Sequence, residues 1–270
     1  MPLKNNKTPK NSKLSPNSLL RKFSSKKTYS NVEDSELNNS EMESNSDKSE
    51  NEFTSFEIFF DMVKMAVNSS NNDQNLDFIS TPQLSDALRK INGSNGVIPH
   101  VKSVNGKKTF GRVFTAQTHE LDWGTSVKAI DEAKEGEILF INVEGDKAAI
   151  WGELTSKTAQ KKGISGTIIN GACRDFDVVK NMDFPVFSKT IVPNAGKPLL
   201  DGKINIPLCL NGIEVNPGDY MLGDECGVVV IPQKIFEDVI NSLWEIKNSE
   251  KRIINLINNG ESLLEILKLN

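Results

Sequence analysis

The sequence predicts a mixed α/β domain with a long C-terminal helix, preceded by a disordered, charged tail. Three observations carry this. Between Glu137 and Val192, short β-branched runs alternate with helix-period segments, the pattern of parallel strands joined by helices. After Val192 the apolar runs follow one another through Asn211-Gly212 and Pro217-Gly218-Asp219, turn sequences that favour antiparallel strands. The last long segment sets Ile235, Val239, Leu243 and Ile246 along one helical stripe and stops at Gly260.

Residues 1–52 are rich in Asn, Ser, Lys and Glu, with apolar residues in no period, and are expected to be disordered. Their charge is segregated. Met1 to Val32 carries eight basic residues and no acidic one, whereas Glu33 to Glu52 carries eight acidic residues against Lys48. A solvated, self-neutralising tail accounts for this, as does a docking or targeting arm. The basic, Ser-rich start resembles a transit peptide, and its single arginine counts against one.

Residues 53–270 are expected to form the folded domain. The stretch FTSFEIFFDMVKMAV puts Phe56, Phe59, Phe60, Val63 and Ala66 on one helical face, with Thr54 and Glu57 at capping-box spacing. In ISTPQLSDALRKI, Thr81 reads as the N-cap and Pro82 as the first helical residue, with Leu84, Leu88 and Ile91 facing inward. Val97 to Gln117 is strand-like around a turn at Asn105-Gly106. A short helix over SVKAIDEAKEG follows, then the buried strand EILFINV. A helix enters at Gly152 and stops at Gly163, and the strand ISGTIING comes next. Strands around FPVFSKTIV, INIPLCLNGIEV and YMLGDECGVVVIP complete the sheet.

Composition narrows the functional classes. The net charge is −4, which points to neither nucleic acid nor a membrane surface. No apolar run approaches the roughly 18 residues that span a bilayer, and the first 30 residues hold no secretory apolar core. Cys173, Cys209 and Cys226 lack CxxC spacing, which argues against zinc and fits buried thiols in a reducing compartment. A cytoplasmic location is expected, with organellar targeting by the tail left open.

The chemistry concentrates between Trp151 and Phe176. A helix opening at Gly152-Glu153-Leu154 offers free backbone N–H groups to an anion. The helix, its Gly163 stop and the strand Gly166–Ile169 make one αβ unit that returns the chain, so Arg174-Asp175 can lie beside the Gly152 loop. One aspartate suits Mg²⁺, which keeps waters and takes one or two carboxylates. An arginine fork suits a carboxylate or a developing enolate oxygen. Together these residues would bind a 2-oxo acid and stabilise its enolate without a Schiff-base lysine. Cys173 reads as a small packing residue, and Asp219, Asp224 and Glu225 as turn residues.

The run GELTSKTAQKKGISGTIINGACRD, with STPQLSDAL, GRVFTAQT, FPVFSKTIVPNAGKP and GIEVNPGDYMLGDECGVVVIP, resembles the RraA-like family over Phe78 to Leu267. That family contains the regulator of ribonuclease activity A and the class II 4-hydroxy-4-methyl-2-oxoglutarate/4-carboxy-4-hydroxy-2-oxoadipate aldolases. Its members sometimes carry a menaquinone methyltransferase name; this sequence has no glycine-rich strand-to-helix loop for a methyl donor. The resemblance implies a swivelling β/β/α-type domain, assembled as a homotrimer or a hexamer of trimers with sites between subunits. It implies a substrate pocket at Gly152, Glu153, Leu154 and Thr155, and substrate binding and enolate stabilisation by Arg174. It implies Mg²⁺ or Mn²⁺ on Asp175, catalysis by Glu153 through a water on that metal, and an outer-shell glutamate from a neighbouring subunit, here Glu250. The implied functions are lyase action on a 4-hydroxy-2-oxo acid or oxaloacetate, or non-catalytic restraint of a ribonuclease or other enzyme. The sequence departs from the aldolase pattern at Val178, where an acidic residue is usual, with Asp177 one position early. Asn170, Cys226 and the LDWGTS segment also depart from it.

Overall fold

The computed structural model describes residues 45–68 and 76–269, with side chains from residue 56 onward. Most of the expected tail therefore lies outside the described residues. Helix α1 spans Asn45–Asn68, so the expected domain start at residue 53 falls inside a helix. Thr54 and Glu57 are likewise interior to it and do not mark its start; capping-box spacing recurs by chance inside polar helices.

Helix α2 spans Thr81–Asn92. Its N-cap is Ser80, not Thr81. Thr81 instead bonds across the fold: its N–H donates to Asp224 Oδ2 (2.8 Å) and its hydroxyl to Asp224 Oδ1 (2.6 Å). Leu84 and Leu88 are buried as expected, whereas Ile91 lies at the exposed C-terminal turn, 38% accessible.

Eleven strands follow. They are β1 (Lys102–Ser103), β2 (Thr109–His119), β3 (Ile138–Glu144), β4 (Ala149–Trp151), β5 (Gly166–Cys173) and β6 (Val186–Ile191), then β7 (Lys203–Ile204), β8 (Leu208–Leu210), β9 (Ile213–Val215), β10 (Tyr220–Asp224) and β11 (Gly227–Ile231). Four more helices lie among or after them: α3 (Gly124–Glu132), α4 (Glu153–Lys161), the single turn α5 (Phe176–Val179) and the long α6 (Phe236–Asn258), with α7 (Leu263–Ile266) at the end. The segment Val97–Val101, expected as strand, contributes a lone bridge from Val97 to Val229.

The main sheet runs β1-β6-β5-β3-β2-β10-β11. β2, β3, β5 and β6 pair in parallel, as the alternating segment predicts, and β10 and β11 pair antiparallel. The sheet curls until its two edges meet. Val97 bridges Val229, Lys102 Nζ reaches the Cys226 carbonyl at 2.6 Å, and the Phe187 ring of β6 fills the space beside Gly223 of β10. A Cβ on Gly223 would stand 2.6 Å from that ring, so the sheet closes only around a residue without one. Helices cover the outside of this near-barrel, as expected of a swivelling β/β/α domain.

Strand alternation divides the apolar residues cleanly. Along β3, Ile138 and Phe140 face the interior with Val113, Ile168, Phe187 and Met221. Leu139 and Ile141 face outward, onto α3 and α4. On the other flank, Phe110, Leu222, Val229 and Ile231 meet α1, α2 and α6. There Phe59 of α1 packs against Trp244 of α6, with ring centroids 5.1 Å apart and the planes tilted by 35°. Phe59, Val63 and Ala66 are buried, as the helical face predicts. Of the thiols, Cys173 alone is buried; Cys209 and Cys226 are exposed, because they sit at an outward strand position and in a turn. No helix among the described residues is long and apolar enough to cross a membrane.

Candidate active site

The C-terminal end of β5 and the N-terminal end of α4 meet in one corner. The link is direct: Arg174 N–H donates to the Trp151 carbonyl (2.9 Å), which ties the end of β5 to the residue before the α4 cap. Asp175 then adopts φ 57° and ψ 38°, a left-handed conformation that aspartate tolerates better than most residues. This turn starts α5, whose Val178 and Val179 N–H groups both donate to the Asp175 carbonyl. It also aims the Asp175 carboxylate back at α4, where Glu153 N–H donates to Oδ2 at 3.0 Å. Arg174 Nε lies 3.2 Å from Asp175 Oδ1 and 3.4 Å from Oδ2.

Gly152 is the cap of α4, and its φ of −173° is ordinary extended backbone. The requirement there is space. A Cβ would stand 2.5 Å from Asp175 Oδ2 and 2.9 Å from Arg174 Cγ. The cap is finished locally: Thr155 Oγ1 accepts from Gly152 N–H and donates to Gly152 C=O, while Ser156 Oγ also donates to that carbonyl. The N–H groups of Leu154 and Thr155 find no acceptor among the described residues, and both residues line the cleft.

The cleft in front of this corner holds about 250 Å³. Its lining comes from Trp123, Val127 and Ile130 of the α3 region, from Ala149 to Gly152, and from Leu154, Thr155 and Thr158 of α4. Among the described residues, Arg174 and Asp175 are the only charged ones in its lining, which also includes Ala195. Cys173, just behind the pair, is buried; burial pushes its thiol up to about 12, and the Asp175 carboxylate adds to the shift. It is a packing residue rather than a nucleophile.

The expected site residues therefore divide. Gly152, Leu154, Thr155, Arg174 and Asp175 are brought together. Glu153 contributes its N–H to the corner, while its carboxylate pairs with Lys157 one turn along α4; the i,i+4 spacing in the sequence is the signal for that pair. Glu250 is on α6 and does not line this cleft; Gln83 Nε2 donates to its carboxylate. Asp177, next to the position where the aldolase pattern has an acid, points to solvent with its side chain 94% accessible and pairs with Lys180. Among the described residues, no three His, Cys, Asp or Glu side chains converge as a metal cage. One cleft-facing carboxylate with Glu153 nearby is a donor set for a hard cation that keeps waters, as Mg²⁺ or Mn²⁺ does, and not for zinc. Asp175 is the residue that could hold it.

Asp122 is a part of the site that no motif announced. It is completely buried, and its carboxylate accepts from the N–H groups of Gly124, Thr125, Leu199, Leu200 and Asp201 and from the hydroxyls of Thr118 and Thr125. Burial acts against the charge, but the Thr125 and Thr118 hydroxyls and the Leu200 and Thr125 N–H groups outweigh it and hold the carboxyl far below the usual range. Asp122 thereby fixes the start of α3, and with it Trp123 and Val127, to the 195–202 segment at the cleft rim.

Comparison with known proteins follows the same residues. The sequence profile of the RraA-like family, described as Aldolase/RraA, matches residues 81–230. An uncharacterised protein of Methanocaldococcus jannaschii is 39% identical over 193 residues, covering 70% of this chain and 90% of its own. A protein of Thermus thermophilus named 4-hydroxy-4-methyl-2-oxoglutarate aldolase is 30% identical over 134 residues, 49% of this chain and 81% of its own. The solved structure of the RNA-processing inhibitor RraA from Thermus superposes with a TM-score of 0.51 at 27% identity, covering 57% of this chain and 93% of that one.

Proposed function

Because this chain belongs to the RraA-like family of aldolases and RraA proteins, we propose that it is a lyase that cleaves a 4-hydroxy-2-oxo acid to pyruvate and a carbonyl fragment, and that decarboxylates oxaloacetate by the same chemistry. One observation carries the reading: Arg174, Asp175 and the first turn of α4 face one cleft, joined by the bond from Glu153 N–H to Asp175.

The substrate carboxylate meets the Leu154 and Thr155 N–H groups at the positive end of α4. The Arg174 guanidinium takes the C2 oxygen. Glu153 removes the proton of the 4-hydroxyl; its pair with Lys157 is half-exposed, worth under about 1 kcal/mol, and yields readily. The C3–C4 bond breaks, its electron pair passes to the C2 oxygen as an enolate beside Arg174, and the C4 carbonyl fragment leaves. The proton on Glu153 returns to C3 and pyruvate results. In oxaloacetate the same bond breaks with loss of carbon dioxide. A divalent cation held by Asp175, Mg²⁺ or Mn²⁺, supplies Lewis-acid charge at the 2-oxo group. The same reading makes the protein a homotrimer or hexamer in which Glu250 is presented to a neighbouring cleft; light scattering and the kcat of Glu250→Ala check this.

Pyruvate release coupled to lactate dehydrogenase tests the reading with 4-hydroxy-4-methyl-2-oxoglutarate and oxaloacetate. Turnover requires Mg²⁺ or Mn²⁺, stops with chelator, and falls about 100-fold in Asp175→Asn. Wild-type turnover with a normal rate in Asp175→Asn overturns the site. A wild type with no turnover selects the second reading, an RraA-type regulator of a ribonuclease or other enzyme. That reading draws on Leu154, Phe176 and Val178, three exposed apolar side chains around the corner, at 80%, 41% and 38% accessibility.

A further inference from the structure

One segment of the cleft lining is held in place without a core of its own. Residues 194–202 bring Ala195 into the lining, yet none of their side chains is buried. A segment that buries no apolar side chain is normally among the first parts of a fold to open. Here the backbone holds it. Ala149 N–H donates to the Asn194 carbonyl (2.9 Å), Trp123 N–H to the Lys197 carbonyl (3.0 Å) and Lys197 N–H to the Leu121 carbonyl (2.7 Å). The Trp123 indole N–H donates to the Gly196 carbonyl at 3.2 Å, so the segment also fixes a ring that lines the cleft.

The second half of the segment converges on Asp122. The N–H groups of Leu199 and Leu200 donate to Oδ1 (3.0 Å each) and that of Asp201 to Oδ2 (3.1 Å). Gly202 N–H donates to Thr125 Oγ1 (3.0 Å), whose own proton goes to Asp122 Oδ2. Three successive N–H groups on one carboxylate need a tight curl, and Leu200 takes φ 64°, a left-handed conformation that is costly for leucine. Leu200 is also 59% exposed, so burial of its side chain does not offset that cost. Glycines let the two stretches of backbone touch. A Cβ on Gly196 would stand 2.1 Å from the Leu121 carbonyl oxygen, one on Gly124 2.8 Å from the Pro198 carbonyl carbon, and one on Gly202 2.3 Å from the Gln117 carbonyl oxygen. Strain persists only where the surroundings over-determine a conformation, and here they converge on one carboxylate. These contacts lie within one chain and are made whether or not a neighbouring subunit completes the cleft.

We propose that Asp122 is a positioning residue for the cleft: its carboxylate holds residues 194–202 as a fixed strap, and the strap keeps Trp123 and Ala195 in place for a bound 2-oxo acid. The proposal rests on the lyase reading for the identity of the ligand and not for the strap. A ligand that enters a lining already in place loses no affinity to ordering it. Releasing the strap therefore weakens binding more than it slows the chemical step, because separate bonds hold Arg174, Asp175 and the start of α4.

Two measurements test this. The first is hydrogen exchange resolved to the amides of Leu199, Leu200 and Asp201, which are protected in the wild type and exchange at least 100-fold faster in Asp122→Asn. Wild-type amides that exchange at the rate of an open chain overturn the strap. The second is the calorimetric Kd of oxalate, a planar stand-in for the pyruvate enolate, with Mg²⁺ present, beside KM and kcat for oxaloacetate. Gly196→Ala lifts the strap from Leu121 without touching the carboxylate. It and Asp122→Asn each weaken oxalate and raise KM at least fivefold, with kcat within twofold of wild type. Phe59→Ala, destabilised in the core instead, binds oxalate as the wild type does, and added formate restores affinity to Asp122→Ala by refilling the place of the carboxylate. Unchanged oxalate affinity in both strap variants, or equal weakening in Phe59→Ala, overturns the positioning role. A wild type that binds no oxalate and leaves oxaloacetate intact, with protected amides that open in Asp122→Asn, keeps the strap and removes the lyase reading.

Discussion

Gly152→Ala is the sharpest perturbation of the proposed site. The backbone there is extended, so alanine adds no conformational strain, and the whole effect comes from one methyl group. That methyl would sit 2.5 Å from Asp175 Oδ2 and 2.9 Å from Arg174 Cγ. The second atom is near the root of its side chain and has little room to move, so the carboxylate gives way. Its displacement breaks the Glu153 N–H bond to Oδ2, now 3.0 Å. A hydrogen bond to a charged group contributes about 1.5–3 kcal/mol, and each 1.4 kcal/mol is a factor of ten. If the corner is set for the reaction, kcat/KM for pyruvate release falls roughly 10- to 150-fold. Stability should change little, because Arg174 and Asp175 are half-exposed, at 43% and 33%, and such a pair contributes under about 1 kcal/mol. The measurement is kcat/KM in the coupled assay beside a thermal melt. Activity within threefold of wild type at an unchanged melting temperature would refute the argument that the Gly152 cap positions Asp175.

Asp122→Asn puts an amide where seven groups donate to a carboxylate, and should cost about 3 kcal/mol. The folded-state pKa of Asp122 is depressed, so its contribution is present above the unfolded value of about 4 and is lost as pH falls below it. Wild-type melting temperature should therefore drop on acidification below about pH 5 more steeply than that of the asparagine variant. A thiol-reagent titration of the folded protein should count two groups, Cys209 and Cys226, with Cys173 reacting only after denaturation. Phe59→Ala should lower stability by about 3 kcal/mol while leaving kcat unchanged, because the ring is 4% accessible and packs on Trp244 and Phe78, away from the cleft.

The site was legible where its geometry is made by adjacent elements. A helix of known length, a glycine stop and a buried strand leave few ways for the chain to return, and the Gly152 cap and Arg174-Asp175 meet as the αβ unit requires. Hydrophobic periodicity also placed the buried α1 face at Phe59, Val63 and Ala66, and the continuous apolar run marked β3 as a buried strand. The misreadings have one physical source, contacts distant in sequence. Thr81 has the residue type of a cap, but its partner is Asp224, 143 residues away. Asp122 looks like an ordinary loop acid, and most of its donors come from neighbouring threonines and from a segment 77 to 79 residues on. Nothing local distinguishes a buried acceptor from a solvated one. Glu153, expected to act through a metal-bound water, pairs with Lys157, and that local contact was visible in the i,i+4 spacing.

The substitution at Val178 acquires meaning from the turn that precedes it. Asp175 in the left-handed region begins α5, and the carbonyl of Asp175 accepts from both Val178 and Val179 N–H. This single turn fixes which way each following side chain points. Asp177 is thrown outward to Lys180, and moving an acid by one residue along a helix rotates it by about 100°, so Asp177 does not restore the acid missing at Val178. The corner keeps one cleft-facing carboxylate and gains apolar surface at Val178, Phe176 and Leu154. A dianionic substrate loses nothing directly from the missing acid; what changes is the balance of the neighbourhood, from charged and hydrated to apolar. The cleft lining from Trp123, Val127, Ile130 and Ile150 is likewise apolar.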